Sequence, residues 1–159
     1  TEASIFRDLT VKDNIDLALQ NSSYSRAAIR NRREQLINEF NLNNFVDNYG
    51  YQLSGGERRR CEIARALTVG RKGPKYLLLD EPFAGIDPLA VNDLKKLILK
   101  LSSDGVGILI TDHNVRETLL ITNKSYVLSE GKILANGSSS ELADNPIVKK
   151  YYLGDNFKL

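Results

Sequence analysis

The run Tyr76-Leu77-Leu78-Leu79-Asp80-Glu81-Pro82 limits the possible folds of this chain more than any other stretch. Four apolar residues in succession, without polar alternation, read as a strand buried on both faces. Such strands belong to parallel sheets with helices on either side. Two acids and a proline close the run, so carboxylates stand at the carboxyl end of a buried strand, the usual place for a ligand site in an open α/β sheet. Residues 106–110 offer a second strand of the same kind, with helical periodicity over 88–101 between the two and over 114–121 afterwards. Strand, helix, strand in alternation argues an α/β fold.

Upstream the pattern is helical. Residues 10–19 place Val11, Ile15, Ala18 and Leu19 on one face, with Thr10 as a cap and Asp13 suited to the helix dipole. A second helix over 25–40 carries Ile29, Leu36, Ile37 and Phe40 as its apolar stripe, leaving Arg26, Arg30, Arg32, Arg33 and Glu34 outward as a solvated face. A turn over 42–46 and a loop over 48–52 lead to Ser54. From Gly55 to Thr68 the helix pattern returns, with Ile63, Ala64, Ala66 and Leu67 inward and Arg58, Arg59 and Arg60 near its start. Cys61 lies on this helix with no neighbouring Cys or His and reads as a small packing residue. Near the end of the chain, 125–129 and 132–136 alternate around Glu130-Gly131 as a hairpin. Ser140 and Glu141 then start a short helix, and another covers 146–153. The expected division is a helical subdomain over 1–72 and an α/β portion over 73–159.

A length of 159 residues with 42% apolar and 26% charged side chains is an ordinary one-domain composition. The net charge of +2 exerts no global pull on nucleic acid or membrane, so any partner must be recognised locally. One cysteine builds no disulfide framework, no apolar run is long enough to span a bilayer, and Thr1-Glu2-Ala3-Ser4 does not resemble a signal peptide. The expectation is a soluble, cytosolic protein whose sequence begins in the middle of something larger.

The chemistry gathers in four places. In Leu53-Ser54-Gly55-Gly56-Glu57, two glycines at a helix start leave amides unobstructed where the dipole favours an anion. A bare Ser-Gly-Gly is equally a helix cap and a turn. Asp80 is placed to hold Mg²⁺, which leaves Glu81 for an attacking water. In Ala84-Gly85-Ile86-Asp87-Pro88, Asp87 before a proline is a good helix cap. His113, the only histidine, follows the second strand, where it could hydrogen-bond a phosphate.

Taken in order and spacing, residues 53–57, 76–82, 84–88 and 109–114 resemble the signature motif, Walker B, D-loop and H-loop of the ATP-binding-cassette (ABC) ATPases. The resemblance implies a partial P-loop NTPase fold, comprising a helical subdomain and the second half of a mainly parallel sheet core. It also implies an ATP- and Mg²⁺-dependent ATPase with Glu81 and His113 as catalytic residues and Asp80 as metal ligand. Ser54, Gly55, Gly56, Glu57 and Asp87 would contact the ATP held by a second copy of the subunit. Residues 53–60, 82–88, 110–118 and 152–159 look most like the ATPase subunits of bacterial lipopolysaccharide exporters, with branched-chain amino-acid importers as the alternative within the family. This implies a homodimer bound to transmembrane permease subunits on the cytoplasmic face of the inner membrane. Phe6 and Arg7 would line the groove that receives the permeases, although Phe6 is also readable as core. Chromosome-maintenance and DNA-repair ATPases share the signature but need long heptad coiled coils, which this sequence lacks. No Gly-x-x-x-x-Gly-Lys-Ser/Thr occurs, and Thr1 stands where the family has its Q-loop glutamine. The chain is therefore expected to correspond to the carboxy-terminal two-thirds of such an ATPase. By itself it would be inactive, or an inert module that only dimerises.

Overall fold

A computed structural model describes residues 4–20, 24–70 and 73–154. Its elements in order are α1 (Val11–Gln20), α2 (Arg26–Glu39), α3 (Gly55–Ala66), β1 (Tyr76–Asp80), α4 (Pro88–Ser103), β2 (Gly107–Thr111), α5 (Val115–Leu119), β3 (Ser125–Ser129), β4 (Lys132–Gly137), α6 (Ser139–Asp144) and α7 (Pro146–Val148). Short 3₁₀ turns at Asn43–Phe45 and Gly50–Gln52 join α2 to α3, and a π-turn, Lys149–Leu153, extends α7. Packing divides the chain into two compact units, Thr1–Leu109 and Ile110–Leu159.

In the first unit, α1 packs on both α2 and α3, and α3 packs on α4. The apolar stripes read from the sequence meet here: Val11, Ile15, Leu19, Leu36, Phe40 and Leu42 have no exposed surface. Asn14 is buried among them, and each polar atom of its side chain is paired. Its Nδ2 donates to the carbonyls of Phe6, Leu9 and Thr10, while its Oδ1 accepts from the Phe6 amide at 3.0 Å and from Arg65 at 3.3 Å. Without those partners the amide would cost about 1–3 kcal/mol to bury. With them it fastens the segment before α1 to the helical layer.

Two expectations are corrected in this unit. The arginines of α2 are not all a solvated face: Arg33 Nη1 sits 2.6 Å from Asp16 Oδ2 with both side chains largely covered, and Arg32 donates to the Leu67 carbonyl at 3.2 Å. Nor are the strands buried on both faces. β1 alternates, with Leu77 and Leu79 buried while Tyr76 and Leu78 are 75% and 72% exposed, and Leu109 of β2 is 60% exposed. Successive side chains of a strand point to opposite faces, so covering one face of an all-apolar strand leaves every second residue in solvent. β1 and β2 are neighbours in a two-stranded sheet, connected through α4. The Tyr76 ring lies over Gly107, where a β-carbon would come within 2.5 Å of it.

The second unit is built on the antiparallel hairpin β3–β4, turned by Glu130 and Gly131 with φ of 49° and 75°. Two left-handed residues in succession match the twist of the flanking strands. The expected alternation is interrupted by a register shift between Val127 and Leu128. Leu119, Val127, Leu142 and Val148 form the core of this unit. α6 begins one residue earlier than expected because Ser138, not Ser140, is its cap, and Glu141 completes the capping box through the Ser138 amide at 2.7 Å. Among the described residues no helix is long and apolar enough to cross a membrane.

Candidate functional site

The amino end of α3 is built by its own first residues. Ser54 is in an extended conformation, so its backbone points the side chain back at the helix. Its Oγ accepts from the Glu57 amide at 3.4 Å, and the Glu57 carboxylate returns to the Ser54 amide at 2.8 Å. The remaining first-turn amides, Gly55 and Gly56, have no acceptor within the helix by its geometry and carry the positive end of its dipole. Gly55 lies against the loop that follows β1, and Gly56 lies against the first turn of α4. A β-carbon on Gly55 would lie 2.8 Å from the Gly85 carbonyl oxygen, and one on Gly56 would lie 2.6 Å from Ala90 Cβ. In that loop, Asp87 Oδ1 accepts from the amides of Leu89 and Ala90 at 3.0 Å each, capping α4 with Pro88 in its first turn. Ser54, Gly55, Gly56, Glu57 and Asp87 are thus brought together.

Asp80 closes β1 with its carboxylate end exposed, and Glu81 follows with a φ of 45°, which side chains other than glycine seldom adopt. α3 supplies the restraint. Arg59 donates through Nη2 to the Glu81 carbonyl at 2.9 Å and through Nη1 to Glu62 Oε2 at 3.0 Å. Glu62 Oε1 in turn accepts from the amides of Ser4 and Ile5 at 2.7 and 3.3 Å. The sequence reading missed this relay. Its only local signal is the Arg59/Glu62 pair three residues apart on one helix face. An open groove of about 310 Å³ runs beside it, lined in part by Arg59, Glu62, Leu77, Leu79, Asp80 and Pro82.

Among the described residues no three metal-ligating side chains gather. Mg²⁺ in nucleotide sites needs no such group, since one or two carboxylates, water and phosphate oxygens complete its shell, and the exposed Asp80 carboxylate is a donor of that kind.

His113 belongs to the second unit. Its side chain is 69% exposed, and Nδ1 lies 3.9 Å from Asp112 Oδ1. Asp112, whose side chain is buried, accepts from the Asn114 amide at 2.7 Å and so fixes the turn that presents the histidine. In the first unit, Phe6 is half exposed under the Arg65 guanidinium, which lies 4.7 Å above its ring, and Arg7 is exposed. Thr1 lies outside the described residues.

Comparison with known proteins places this geometry in context. The ABC transporter family model matches residues 1–84, more than half the chain. The chain is 50% identical to the lipopolysaccharide export system ATP-binding protein LptB of Haemophilus influenzae and 48% identical to LptB of Escherichia coli strain K12, over 159 residues in each case. These alignments take in 99% of the chain but 65% of either relative, so the chain spans about two-thirds of their length. Among solved structures it is similar to CbiO1 of Clostridium perfringens, part of the CbiONQ ABC transporter complex. The TM-score is 0.79 at 27% identity, covering 92% of this chain and 58% of that one. It is also similar to an ATP-binding cassette of an ABC transporter in its ADP conformation, with a TM-score of 0.76 at 25% identity, covering 94% and 64%. The α/β architecture is accordingly that of part of a P-loop NTPase domain, and the chain belongs to the ABC transporter family of ATP-binding proteins.

Proposed function

We propose that this chain is part of the ATP-hydrolysing subunit of a lipopolysaccharide exporter. The observation that carries the reading is the identity of about half of all residues to LptB proteins along essentially the whole chain. The site geometry supports it, with an anion-ready helix end at Ser54-Gly55-Gly56, an acid pair closing β1, and Asp87 seated beside the helix end.

In this reading ATP lies between two copies of the subunit. Ser54, Gly55 and Gly56 of one copy meet phosphates held by the other, Glu57 acts by fixing Ser54, and Asp87 faces the junction. Asp80 would hold Mg²⁺, which neutralises phosphate charge when bound. Glu81 takes a proton from the attacking water, and His113 donates a hydrogen bond to the terminal phosphate. The motifs divide the chain functionally at 72/73, into a helical subdomain and a share of the catalytic core. These 159 residues contain no Gly-x-x-x-x-Gly-Lys-Ser/Thr loop to cradle the phosphates. The subunit works as a homodimer against permease subunits at the cytoplasmic face of the inner membrane, with Phe6 and Arg7 on the permease side.

The test is genetic replacement. The full-length protein, expressed in E. coli depleted of its own LptB, should restore lipopolysaccharide at the cell surface, and its Glu81→Gln variant should not. If the full-length protein is made, folds and binds the permease subunits yet leaves surface lipopolysaccharide absent, the assigned substrate is wrong.

A further inference from the structure

The glycines at the start of α3 have a neighbour in their own chain. The β-carbon positions of Gly55 and Gly56 are directed not toward open solvent but at Gly85, Ile86 and Ala90, at 2.8, 2.9 and 2.6 Å. Carbon atoms settle at about 3.5 Å or more, so a methyl group at Gly55 forces α3 away from the loop ahead of α4, and one at Gly56 forces α3 away from α4 itself. Gly56 is buried, and its contact is the side chain of Ala90 rather than a movable tip. Ala90 is itself fixed, because its amide is one of the two that Asp87 caps. Ser54, Gly56, Ala90 and Asp87 therefore form a continuous chain of contacts across the amino ends of two helices.

We infer that Ala90 and the Gly85 carbonyl are the seat of the signature helix, which makes Ala90 a positioning residue for the phosphate contact. The inference rests on the ATPase reading above and adds a reason for the glycines that involves no ligand. The α-hydrogen side of Gly55 and Gly56, where a side chain would stand, is filled by the chain itself.

The experiment is a size exchange in the full-length protein with its permease subunits. Gly56→Ala should lower the thermal midpoint and cut ATP turnover at least tenfold. Gly56→Ala combined with Ala90→Gly, which empties the methyl position, should recover both. If the double variant regains the parent's thermal midpoint but turns over no better than Gly56→Ala, the glycine is there for ligand clearance and Ala90 is refuted as a positioning residue. No loss of thermal midpoint in Gly56→Ala refutes the seat itself. Should Gly56→Ala fail to fold, recovery of soluble folded protein by Ala90→Gly supports the seat and its absence overturns it. A parallel Glu81→Gln variant separates the two ideas: if it keeps turnover, the assignment of the base falls, while the thermal midpoints still decide the seat.

Discussion

The guanidinium of Arg59 donates to the main-chain carbonyl of Glu81 at 2.9 Å and holds a residue whose φ is 45°. A left-handed conformation at a non-glycine residue costs on the order of 1–3 kcal/mol and persists only where the surroundings insist on it. Arg59→Ala removes that insistence, and the Glu81 carboxylate then samples directions away from the water it is proposed to activate. Turnover in the full-length protein should fall about tenfold, roughly 1.4 kcal/mol in the barrier, with KM for ATP nearly unchanged. Arg59→Lys, which keeps one donor, should recover part of the rate. Steady-state kinetics of the two variants decide it, and a KM that rises while kcat holds would mean Arg59 serves binding.

Glu81→Gln keeps the shape of the side chain and removes its basicity. The full-length variant should bind ATP as the parent does and lose turnover by about 100-fold or more, the range in which a positioned general base contributes. Equilibrium binding of labelled ATP beside a phosphate-release assay separates the two quantities. Near-parental phosphate release would remove Glu81 from the role of base.

Cys61 has no exposed surface, and burial pushes its thiol from 9.0 up to about 12, against the opposing pull of nearby Arg65. Since the thiolate is the nucleophile, the native protein should resist thiol reagents at about pH 8 and react fully once unfolded. Because the folded value is the higher one, the neutral thiol's contribution to stability is complete below about 9 and fades as pH rises towards about 12. Reagent uptake measured with and without denaturant checks the first statement. Denaturation midpoints across the alkaline range check the second.

Local rules carried much of this fold. Asp87 before Pro88, the turn at Glu130-Gly131 and the Ser54 cap each follow from side-chain and backbone preferences spanning four residues or fewer, and each is present in the structure. The relations that tie the site together are of another kind. Arg59 and Glu81 lie 22 residues apart, and the contact of Gly56 with Ala90 spans two helices, so no periodicity or propensity encodes either. The strand misreading has the same root. Four apolar residues in a row state that both faces of β1 are hydrophobic, but they do not state that this chain supplies the cover for both.

That uncovered face makes the last prediction. Tyr76, Leu78 and Leu109 share one side of the β1–β2 sheet and are 75%, 72% and 60% exposed. Each fully buried side chain of this size is worth about 1.5–3 kcal/mol, and contiguous apolar surface on a sheet is a template for association. The 159-residue chain alone should therefore self-associate at micromolar concentration. Leu78→Glu should reduce that association without unfolding the chain, since it places a charge on a position already in water and leaves Leu77 and Leu79 in the core. Light scattering and circular dichroism on the two chains give the result. A monodisperse monomer for the parent chain would show that this face is tolerated in water, and equal association of Leu78→Glu would place the contact elsewhere.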